Sequence, residues 1–470
     1  MEVLQYIGYG IYIITIIGTV LVVVSENRNP IRTLAWVLVL IFLPALGIIL
    51  FYFFGQNNRK IRHLSSKYIE WEGVRHSELL IGEHHSNTPK QFISLSKLLS
   101  QVNDSLILRG SKVEIITTGP RKFEALLNDI REATNHIHME YFIFNNDETG
   151  RKVKKALMEK AAEGIKVRFL YDNVANIRVP SGFYNEMSKA GVEVCPFMKI
   201  RFAPFRSRVN YRNHRKVVVI DGKVGYIGGM NIGNEYALQP NWRDTHLRIE
   251  GRGVYALQIN FFKDWYSTLE RKFENDGNNY FPSCDIFTDN LLQIASGGPN
   301  TQWPNLLQAT LSAVISSKKY LYIQTPYFLP TDSLFEALQT AALSGVDVRL
   351  MVSRKSDSSY IDPAARSYYS ELLRAGLRIY EHQTKFIHAK TIVADDYLSV
   401  IGSANMDFRS FEMNFEINCY LYDTGLAVEN KDIFLKDMDG CKEILLEEWD
   451  KRSWWKRVVE SLMRLFAPLM

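Results

Sequence analysis

Two short motifs carry side chains whose types and spacing could support chemistry. The first reads NHRKVVVIDG and contains His214 and Lys216, and the second reads IHAKTIVADD and contains His388 and Lys390. A histidine can act as a nucleophile or a general acid near neutral pH because its reference pKa is about 6.5, and a lysine supplies a positive charge. One HxK triplet is a weak signal, but two copies indicate a single site that combines nucleophilic and acid-base chemistry at an anionic group.

Both motifs continue with the same spacing. A His and a Lys two positions apart at the start of a strand point to one face of the sheet, and an Asp follows in the turn after that strand. Small residues and an asparagine come next. These residues are Asp221, Gly228, Gly229 and Asn231 in the first motif, and Asp395, Gly402, Ser403 and Asn405 in the second.

The elements that position these motifs also occur twice. HIHMEYFIF, from His136, is typical of a buried strand, residues 152–164 have helical spacing, and residues 165–171 are typical of a second strand. The same order returns in KYLYIQTPYF, the helical residues 332–345 and the strand at 346–352. Strand, helix and strand in this order predict parallel strands covered by helices, with function at the strand ends or at the seam between the copies.

With these features the sequence resembles the phospholipase D superfamily, whose HxK(x)4D(x)6GS motif occurs twice and whose halves meet at one active site. The second motif matches in full, but the first has Gly229 in place of the serine. The resemblance therefore implies that Ser403, Asn231 and Asn405 bind the substrate phosphate.

The resemblance implies phosphodiester chemistry through a covalent histidine. Lys216 and Lys390 would hold the non-bridging oxygens of an anionic phosphorane, as a metal ion does in other phosphoryl-transfer sites, so no metal and no cofactor is required. His214 would become the phosphatidyl-histidine, and His388 would act as acid and then as base. The reverse assignment stays open.

Four acidic residues belong to this predicted site. Asp244 in NWRDTH and Glu416 in NFEIN lie at similar distances downstream of the two histidines, and we expect them to orient the imidazoles, the alternative being that they are surface carboxylates. Asp221 and Asp395 complete the two motifs, but their place in strand-ending turns indicates that they brace the fold more than they touch substrate. The pair His136 and His138 has no further ligand at suitable spacing and is interpreted as structural.

The N-terminus is strongly apolar. Residues 6–24 and 34–54 each approach the roughly 20 residues that a membrane-spanning helix needs. A cleaved signal peptide is the alternative for the first, but no Lys or Arg precedes it and a second span follows. The predicted fold class is α/β: a two-span transmembrane helical hairpin followed by two pseudo-symmetric phospholipase D-like lobes that share one active site. A positive cluster after the second span favours cytoplasmic lobes: Arg59, Lys60, Arg62 and Lys67.

The composition argues against a nucleic-acid-binding protein and against a fold held by zinc or disulfides. A net charge of +5 over 470 residues is too small for a nucleic-acid footprint, although it favours an anionic lipid surface. The stretch MKIRFAPFRSRVNYRNH, which ends at His214, mixes basic and aromatic residues as a membrane-facing loop would. The four cysteines form no CxxC pair, which argues against a zinc site and a disulfide framework.

The likeness to bacterial cardiolipin synthases covers nearly the whole chain, including the two-span N-terminus, HIHMEYFIF, WRDTH and QTPYFLP. It implies that phosphatidylglycerol donates its phosphatidyl group and a second phosphatidylglycerol accepts it, giving cardiolipin and glycerol. The partners would be phosphatidylglycerol and anionic membrane lipids, with no nucleic acid, and a homo-oligomer is left open. The location implied is the bacterial cell membrane, with a multi-pass anchor. The alternatives are a phospholipase D hydrolase, another phosphatidyltransferase, or a non-catalytic lipid-binding scaffold, which both retained His-Lys pairs oppose.

The predicted domains follow from these features. They are a hairpin at residues 1–56, a linker at 57–110, a first lobe at 111–275, a second lobe at 276–450 and a C-terminal amphipathic segment at 451–470. In that last segment apolar residues fall on one helical face and charged residues lie opposite. The segment either lies flat on anionic lipid or packs against the catalytic body. Its apolar face comprises Trp455, Val458, Val459, Leu462 and Phe466.

Overall fold

The computed structural model of the protein describes residues 10, 12–21, 30–51, 84–197, 211–273, 279–284, 286 and 288–467. These residues fall into two compact units, one up to residue 51 and one from residue 84 onward. Most of the predicted linker, at residues 52–83, and most of the basic-aromatic stretch, at residues 198–210, lie outside the described residues.

The N-terminal unit is helical over nearly all of its described residues. Residues 12–21 are helical, and helices α1 (Pro30–Phe42) and α2 (Pro44–Leu50) follow. The second predicted span is divided at Leu43, whose ψ of 61° lies outside the helical region, because the residue before a proline is sterically disfavoured there. In the ranges described, no helix is both long and apolar enough to cross a membrane. Both ends of the first predicted span and the C-terminal end of the second lie outside those ranges.

The segment that leads into the body is structured from residue 84 onward, which differs from the linker expected at residues 57–110. Phe92, Leu95 and Leu99 are buried in the core of the second lobe. The segment is therefore ordered by the burial of its apolar side chains against that lobe. Its elements are two 3-10 turns (His85–Asn87 and Lys90–Phe92), helix α3 (Ile93–Asn103) and strand β1 (Leu108–Arg109), which pairs with the second lobe.

The first lobe is a seven-stranded sheet covered by helices. Strands β3, β4 and β5 are parallel, as expected, whereas the HxK strand β6 runs antiparallel to β3 and begins an antiparallel half of the sheet. The order is β2-β9-β7-β6-β3-β4-β5. Its strands are β2 (Ser111–Ile116), β3 (His136–Tyr141), β4 (Lys166–Asp172), β5 (Glu193–Phe197), β6 (Lys216–Ile220), β7 (Val224–Gly228), β8 (Trp242–Arg243, outside the sheet) and β9 (His246–Gly251); its helices are α4 (Gly119–Glu132), α5 (Glu148–Ala162), α6 (Ser181–Lys189), α7 (Asn234–Ala237) and α8 (Gly253–Leu269).

The second lobe repeats this arrangement in a nine-stranded sheet of order β1-β10-β19-β17-β16-β11-β13-β14-β20. Its strands are β10 (Leu291–Gly297), β11 (Tyr320–Gln324), β12 (Phe328–Leu329), β13 (Asp347–Ser353), β14 (Arg378–His382), β15 (Phe386–Ile387), β16 (Thr391–Ala394), β17 (Leu398–Gly402), β18 (Met406–Asp407), β19 (Glu416–Leu421) and β20 (Cys441–Ile444). Its helices are α9 (Asn305–Ser316), α10 (Asp332–Leu343), α11 (Ile361–Arg366), α12 (Tyr369–Arg374), α13 (Phe408–Glu412), α14 (Thr424–Met438), α15 (Leu446–Asp450) and α16 (Trp454–Arg464).

The two lobes share a hydrophobic core. Val217 and Val219 of β6 pack in one buried cluster with Ile401 and Ile417 of the second lobe. Because successive strand residues face opposite sides, Val218 of β6 packs instead in the first lobe's own core. The HxK strand is therefore buried on both faces and held rigidly at the seam between the lobes.

Short backbone pairings cross this seam in both directions. Strand β8 of the first lobe pairs in parallel with β15 of the second, and Asn213 forms a parallel bridge with Phe415. As a result, the His388 N–H donates to Arg243 O at 2.7 Å, and the His214 N–H donates to Phe415 O at 2.9 Å. Each HxK motif is thus hydrogen bonded to the opposite lobe.

Candidate active site

The two HxK motifs occupy equivalent places at the start of β6 and just before β16. His214, Lys216, His388 and Lys390 are all buried. In both motifs the lysine Nζ donates a hydrogen bond to the backbone oxygen of the histidine two residues earlier. The local fold is therefore the same in both copies, as their matched spacing requires.

Each imidazole is held by a carboxylate from the other lobe. His214 Nδ1 lies 2.8 Å from Glu416 Oε1 and 3.0 Å from Oε2, and His388 Nδ1 lies 2.6 Å from Asp244 Oδ2. The sequence indicated the two acids but not that they exchange partners across the seam. A complete half-site therefore needs residues of both lobes.

The environment favours neutral imidazoles beside ionised carboxylates. Burial lowers the pKa of His214 to about 4, although Glu416 opposes this shift, and burial likewise lowers the pKa of His388 to about 4. Burial alone would raise the pKa of the two acids, but the adjacent imidazoles and lysines leave the pKa of both Glu416 and Asp244 below their usual values. Nδ1 then carries the proton that the carboxylate accepts, which leaves Nε2 of each ring with a lone pair.

The two lysines are poised to respond to an anion. Burial lowers the pKa of Lys216 well below its ordinary value and lowers that of Lys390 to about 8. Glu416 opposes the shift at Lys216, and Asp244 opposes it at Lys390. A phosphate placed between them would favour their charged forms, because an opposite charge nearby offsets desolvation.

Ser403, expected to bind phosphate, contacts the carboxylate instead. Its hydroxyl donates to Glu416 Oε2 and accepts from the Ile417 N–H at 3.0 Å. Ser410, which the motif did not indicate, donates to Glu416 Oε1 at 3.0 Å. A hydroxyl has one proton, so Ser403 holds Glu416 in this arrangement and leaves its proton unavailable to substrate.

Gly229, the departure from the family motif, has a steric reason in the structure. A Cβ added at Gly229 would lie 2.1 Å from Asp244 Oδ1, far inside van der Waals contact. Asp244 is shorter than Glu416, so its carboxylate lies where a serine side chain would have to be. The two half-sites therefore use different pairs, Gly229 with Asp244 and Ser403 with Glu416.

The two asparagines are tied into the protein. Asn231 Oδ1 accepts from the Ile143 N–H at 3.2 Å, and its Nδ2 donates to Tyr236 Oη at 2.8 Å. Asn405 Nδ2 donates to Asp407 Oδ2 at 3.0 Å, while its buried Oδ1 has no partner in the described part of the chain. In this arrangement their amide donors support the walls of the site.

Asp221 and Asp395 accept hydrogen bonds from backbone N–H groups and make none with the imidazoles of the two HxK motifs. Both have positive φ, 55° and 56°, in the turn that ends the HxK strand. Asp221 accepts from the backbone N–H groups of residues 134, 135 and 136 at 2.8 to 2.9 Å. Asp395 accepts from those of residues 318, 319 and 320 at 2.6 to 2.8 Å, and from Gln91 Nε2 at 2.7 Å.

Sequence reasoning did not identify Arg215, which lies between His214 and Lys216. Its side chain points to the opposite face, where Nε donates to Glu416 O at 3.1 Å and Nη2 donates to Gly297 O at 3.2 Å. It also forms a buried ion pair with Asp264. Arg215 thus fixes the strand that carries Glu416. The sequence feature that could have identified it is a charged residue between the His and the Lys of the first HxK triplet, on the face of the strand opposite to theirs.

Aromatic rings enclose both imidazoles. Phe142 meets His214 edge-on with 4.7 Å between ring centroids, and Trp242 lies 5.2 Å from His388. Tyr236 contributes a further ring 5.8 Å from His388. These apolar walls explain the strong desolvation of the site.

The pair His136 and His138, interpreted from the sequence as structural, makes buried side-chain contacts within the first lobe. His136 Nε2 and His138 Nδ1 both contact Gln258 Oε1, at 3.0 and 3.1 Å, and His138 stacks on Phe261. Across the residues that the structure describes, no group of three or more His, Cys, Asp or Glu side chains could hold a metal ion.

Comparison with known proteins identifies the family of this chain. The sequence matches the family described as "Cardiolipin synthase, PLD-like domain" over residues 126–265 and 311–438, and the one described as "Phospholipase_D-nuclease N-terminal" over residues 10–56. It is 37% identical over 476 residues to the major cardiolipin synthase ClsA of Bacillus subtilis, with 98% of each chain covered. It is also 37% identical over 492 residues to a cardiolipin synthase of Listeria innocua, with 100% of each covered.

A solved structure shares the fold. The phosphatidylserine synthase of Haemophilus influenzae superimposes with a TM-score of 0.59 and 15% identity, over 80% of this chain and 98% of that one. The duplicated α/β lobes and their paired HxK motifs thus define a protein of the phospholipase D superfamily. Within that superfamily the chain belongs to the cardiolipin synthase family, which confirms the resemblance inferred from its motifs.

Proposed function

We propose that the protein is a cardiolipin synthase that transfers the phosphatidyl group of one phosphatidylglycerol to another, reversibly, through a phosphatidyl-histidine. The observation that carries this proposal is the reciprocal pairing of His214 with Glu416 and of His388 with Asp244. Two imidazoles, each with Nδ1 held and Nε2 available, supply one nucleophile and one acid-base group. The full-length likeness to cardiolipin synthases supports the choice of lipid.

In the first half-reaction, His214 Nε2 forms a bond to phosphorus and the bond from phosphorus to the glycerol headgroup oxygen breaks. That oxygen takes a proton from His388 Nε2. The substrate phosphate supplies the negative charge that raises the pKa of His388 enough for its ring to enter this step protonated. In the second half-reaction, His388 accepts the proton of a phosphatidylglycerol hydroxyl, that oxygen bonds to phosphorus, and the phosphorus–nitrogen bond breaks.

Lys216 and Lys390 stabilise the charge that develops on the non-bridging oxygens. Because both lysines are buried, their interaction with the phosphorane is weakly screened by solvent, and removal of one donor from such a site typically costs about 3 to 4 kcal/mol. We propose that the substrate phosphate is also bound by Asn231, Ser403 and Asn405. To donate to it, these side chains would first have to break their present hydrogen bonds.

Exclusion of water explains transfer rather than hydrolysis. Phe142, Trp242 and Tyr236 surround the two imidazoles, so the covalent intermediate would meet the hydroxyl of a bound lipid before it meets bulk water. Hydrolysis by a phospholipase D is the second candidate, which the same residues could perform if water entered.

The N-terminal unit is proposed to anchor the enzyme in the bacterial cell membrane as a two-span hairpin, with both lobes on the cytoplasmic side. Its match to the phospholipase D-nuclease N-terminal family over residues 10–56 supports a separate module. Several large apolar side chains on its helices are also exposed, as lipid-facing residues would be: Ile14, Ile17, Leu21, Leu34 and Phe42. We propose a hairpin at residues 1–56, a linker at 57–110, the two lobes at 111–275 and 276–450, and a C-terminal segment at 451–470. Within the linker, residues 84–109 pack with the second lobe.

The test is product analysis without added metal. Membranes that contain the wild type or His214→Ala are incubated with phosphatidylglycerol, and lipids and water-soluble products are identified by mass spectrometry. Cardiolipin and glycerol from the wild type alone would support the synthase, whereas phosphatidic acid would indicate a hydrolase and no product would overturn both. His84→Ala, an exposed histidine outside the site, is the matched control and should retain full activity.

A further inference from the structure

The C-terminal helix α16 docks on the body through the side that carries Glu460 and Arg464. Glu460 is buried and accepts a hydrogen bond from Arg452 Nη1 at 2.6 Å. The Arg464 guanidinium lies over the Tyr368 ring, 4.1 Å from its centroid. Ala467, just beyond the helix, is buried in the core of the second lobe. The side of the helix that carries the ion pair therefore faces the protein.

The apolar face of α16 is turned outward, except for Val458 at its edge, which is half-buried. Trp455 is 69% exposed, and Val459, Leu462 and Phe466 are each at least 50% exposed. Their spacing of four, three and four positions forms one stripe along a helix. A surface helix of a globular protein normally buries such a stripe, so this orientation is the reverse of what burial in the body would produce.

The outward stripe also has the chemistry of a membrane interface. Trp454 is exposed beside Trp455 at the start of the helix, and indole rings favour the boundary between headgroups and acyl chains. Lys456 and Arg457 are exposed on the adjoining side. Basic side chains next to an apolar stripe complement the negative surface of an anionic bilayer.

We propose that the outer face of α16 inserts into the interface of an anionic lipid bilayer and holds the second lobe against the membrane surface. This contact is separate from the N-terminal hairpin and does not depend on the proposed reaction. The sequence left two interpretations of this segment, lipid binding and packing on the body. In the structure the side with Glu460 and Arg464 packs on the body, and the apolar face stays available for lipid.

The proposal can be tested by tryptophan quenching in the full-length protein. The protein is reconstituted into phosphatidylcholine vesicles with and without phosphatidylserine. In both kinds of vesicle the lipid acyl chains carry bromine, so that only indoles at acyl-chain depth are quenched. We expect the double variant Trp454→Phe with Trp455→Phe to lose most of the bromine-dependent quenching gained on adding phosphatidylserine. Trp303→Phe, which removes an exposed indole elsewhere on the body, should retain it.

A second variant tests the apolar stripe. Val459→Glu with Leu462→Glu should abolish the quenching of Trp454 and Trp455, whereas Ile315→Glu, at an exposed site on α9, should not. Thermal unfolding of each variant at the wild-type midpoint would show that the fold is intact.

The proposal would be overturned if brominated lipid did not quench Trp454 and Trp455. It would also be overturned if a second copy of the protein covered the stripe. In that case the protein would self-associate, and Val459→Glu with Leu462→Glu would abolish the self-association without any change in quenching. Because the readout is fluorescence, it stands even if no cardiolipin is formed.

Discussion

Glu416 of the second lobe accepts a hydrogen bond from Nδ1 of His214 in the first lobe, at 2.8 Å. Asp244 of the first lobe does the same for His388 of the second, at 2.6 Å. Neither lobe contains a complete histidine and carboxylate pair of its own. The duplicated fold is therefore joined functionally as well as structurally, since separation of the lobes would leave both imidazoles without their partners.

Glu416→Gln should strongly reduce turnover. The amide keeps the shape of the side chain but lacks the negative charge that sets the tautomer and stabilises an imidazolium. The corresponding Asp→Asn change in a Ser-His-Asp triad lowers turnover by about 10⁴, and we expect a loss of that order. Turnover of phosphatidylglycerol by purified protein measures it, with His84→Ala as the control.

The crossed pairing makes this prediction specific to a step. In single-turnover experiments that trap the phosphatidyl-enzyme, Glu416→Gln should behave like His214→Ala, and Asp244→Asn should behave like His388→Ala. If Glu416→Gln instead resembled His388→Ala, the pairing would be wrong.

The local parts of this architecture could be predicted from the sequence, and the long-range parts could not. Strand and helix periods identified β3, α5 and β4, and their second copies β11, α10 and β13, because each pattern depends on neighbouring residues. The exchange of Asp244 and Glu416 depends on how two separate sheets pack, and no local pattern encodes that. The antiparallel direction of β6 was also missed, because it depends on which strand β6 pairs with inside its own sheet, and no local pattern encodes that pairing.

Residues 84–109 illustrate a different limit. Their helix α3 looks like part of a connection because its apolar side chains find their partners only in the second lobe, far along the chain. Ser403 illustrates a third limit. Its motif predicts phosphate binding, which stays a prediction, but gives no indication of the contact between its hydroxyl and Glu416.

Gly229→Ser should inactivate the enzyme, although it restores the residue that the family motif favours. The new Cβ would lie 2.1 Å from Asp244 Oδ1, so the carboxylate would have to move away from His388. Ser403→Gly only removes one of several hydrogen bonds to Glu416 and should have a smaller effect. Kinetics of the two variants, with unfolding midpoints to verify folding, would decide; equal or higher activity in Gly229→Ser would contradict the steric argument.

Activity should fall at both ends of the pH range. Burial lowers the pKa of Lys390 to about 8, so kcat/KM should decline as the pH rises through about 8 and this lysine loses its charge. It should also decline as the pH falls toward about 4, because His214, the proposed nucleophile, becomes protonated there in the free enzyme. A bound phosphate favours the charged lysine, so the alkaline limb of kcat should lie at higher pH than that of kcat/KM.

The variant Lys390→Arg tests this assignment. A guanidinium remains charged throughout the accessible range, so the alkaline limb should disappear even though the rate falls. Lys385→Arg, at an exposed position near the motif, should keep the wild-type profile. An unchanged alkaline limb in Lys390→Arg would assign it to another group.

Asp221→Asn and Asp395→Asn should lower stability more than catalysis. Each carboxylate accepts three backbone N–H groups at the end of its HxK strand, and an amide would turn its own N–H groups toward them. Hydrogen bonds to charged groups contribute about 1.5 to 3 kcal/mol each, so a loss of this size is expected. Denaturation curves give the stability, and activity per folded molecule should remain near that of the wild type; a loss as large as that of His214→Ala would assign these residues a direct role.

Lys122→Met should stabilise the protein at neutral pH. Lys122 is completely buried, and its Nζ has no hydrogen-bond partner among the described residues. Burial lowers its pKa to about 7, with the Asp244 charge opposing the shift, whereas an unfolded lysine has a pKa of about 10.4. Between these values the unfolded chain binds more protons, so the contribution of Lys122 to the unfolding free energy rises with pH, by about 1.4 kcal/mol for each unit.

The difference in stability between Lys122→Met and the wild type should therefore be largest near pH 7 and shrink as the pH approaches 10. Below about pH 7 it should stay constant, because the lysine is then protonated in both states. Unfolding in detergent at a series of pH values measures it, and Lys112→Met, at an exposed position on β2, should differ from the wild type equally at every pH. A constant difference for Lys122→Met would mean that the folded protein keeps this lysine charged at alkaline pH, and the charge of Asp244, which raises the pKa of Lys122, would then be the group that holds it so.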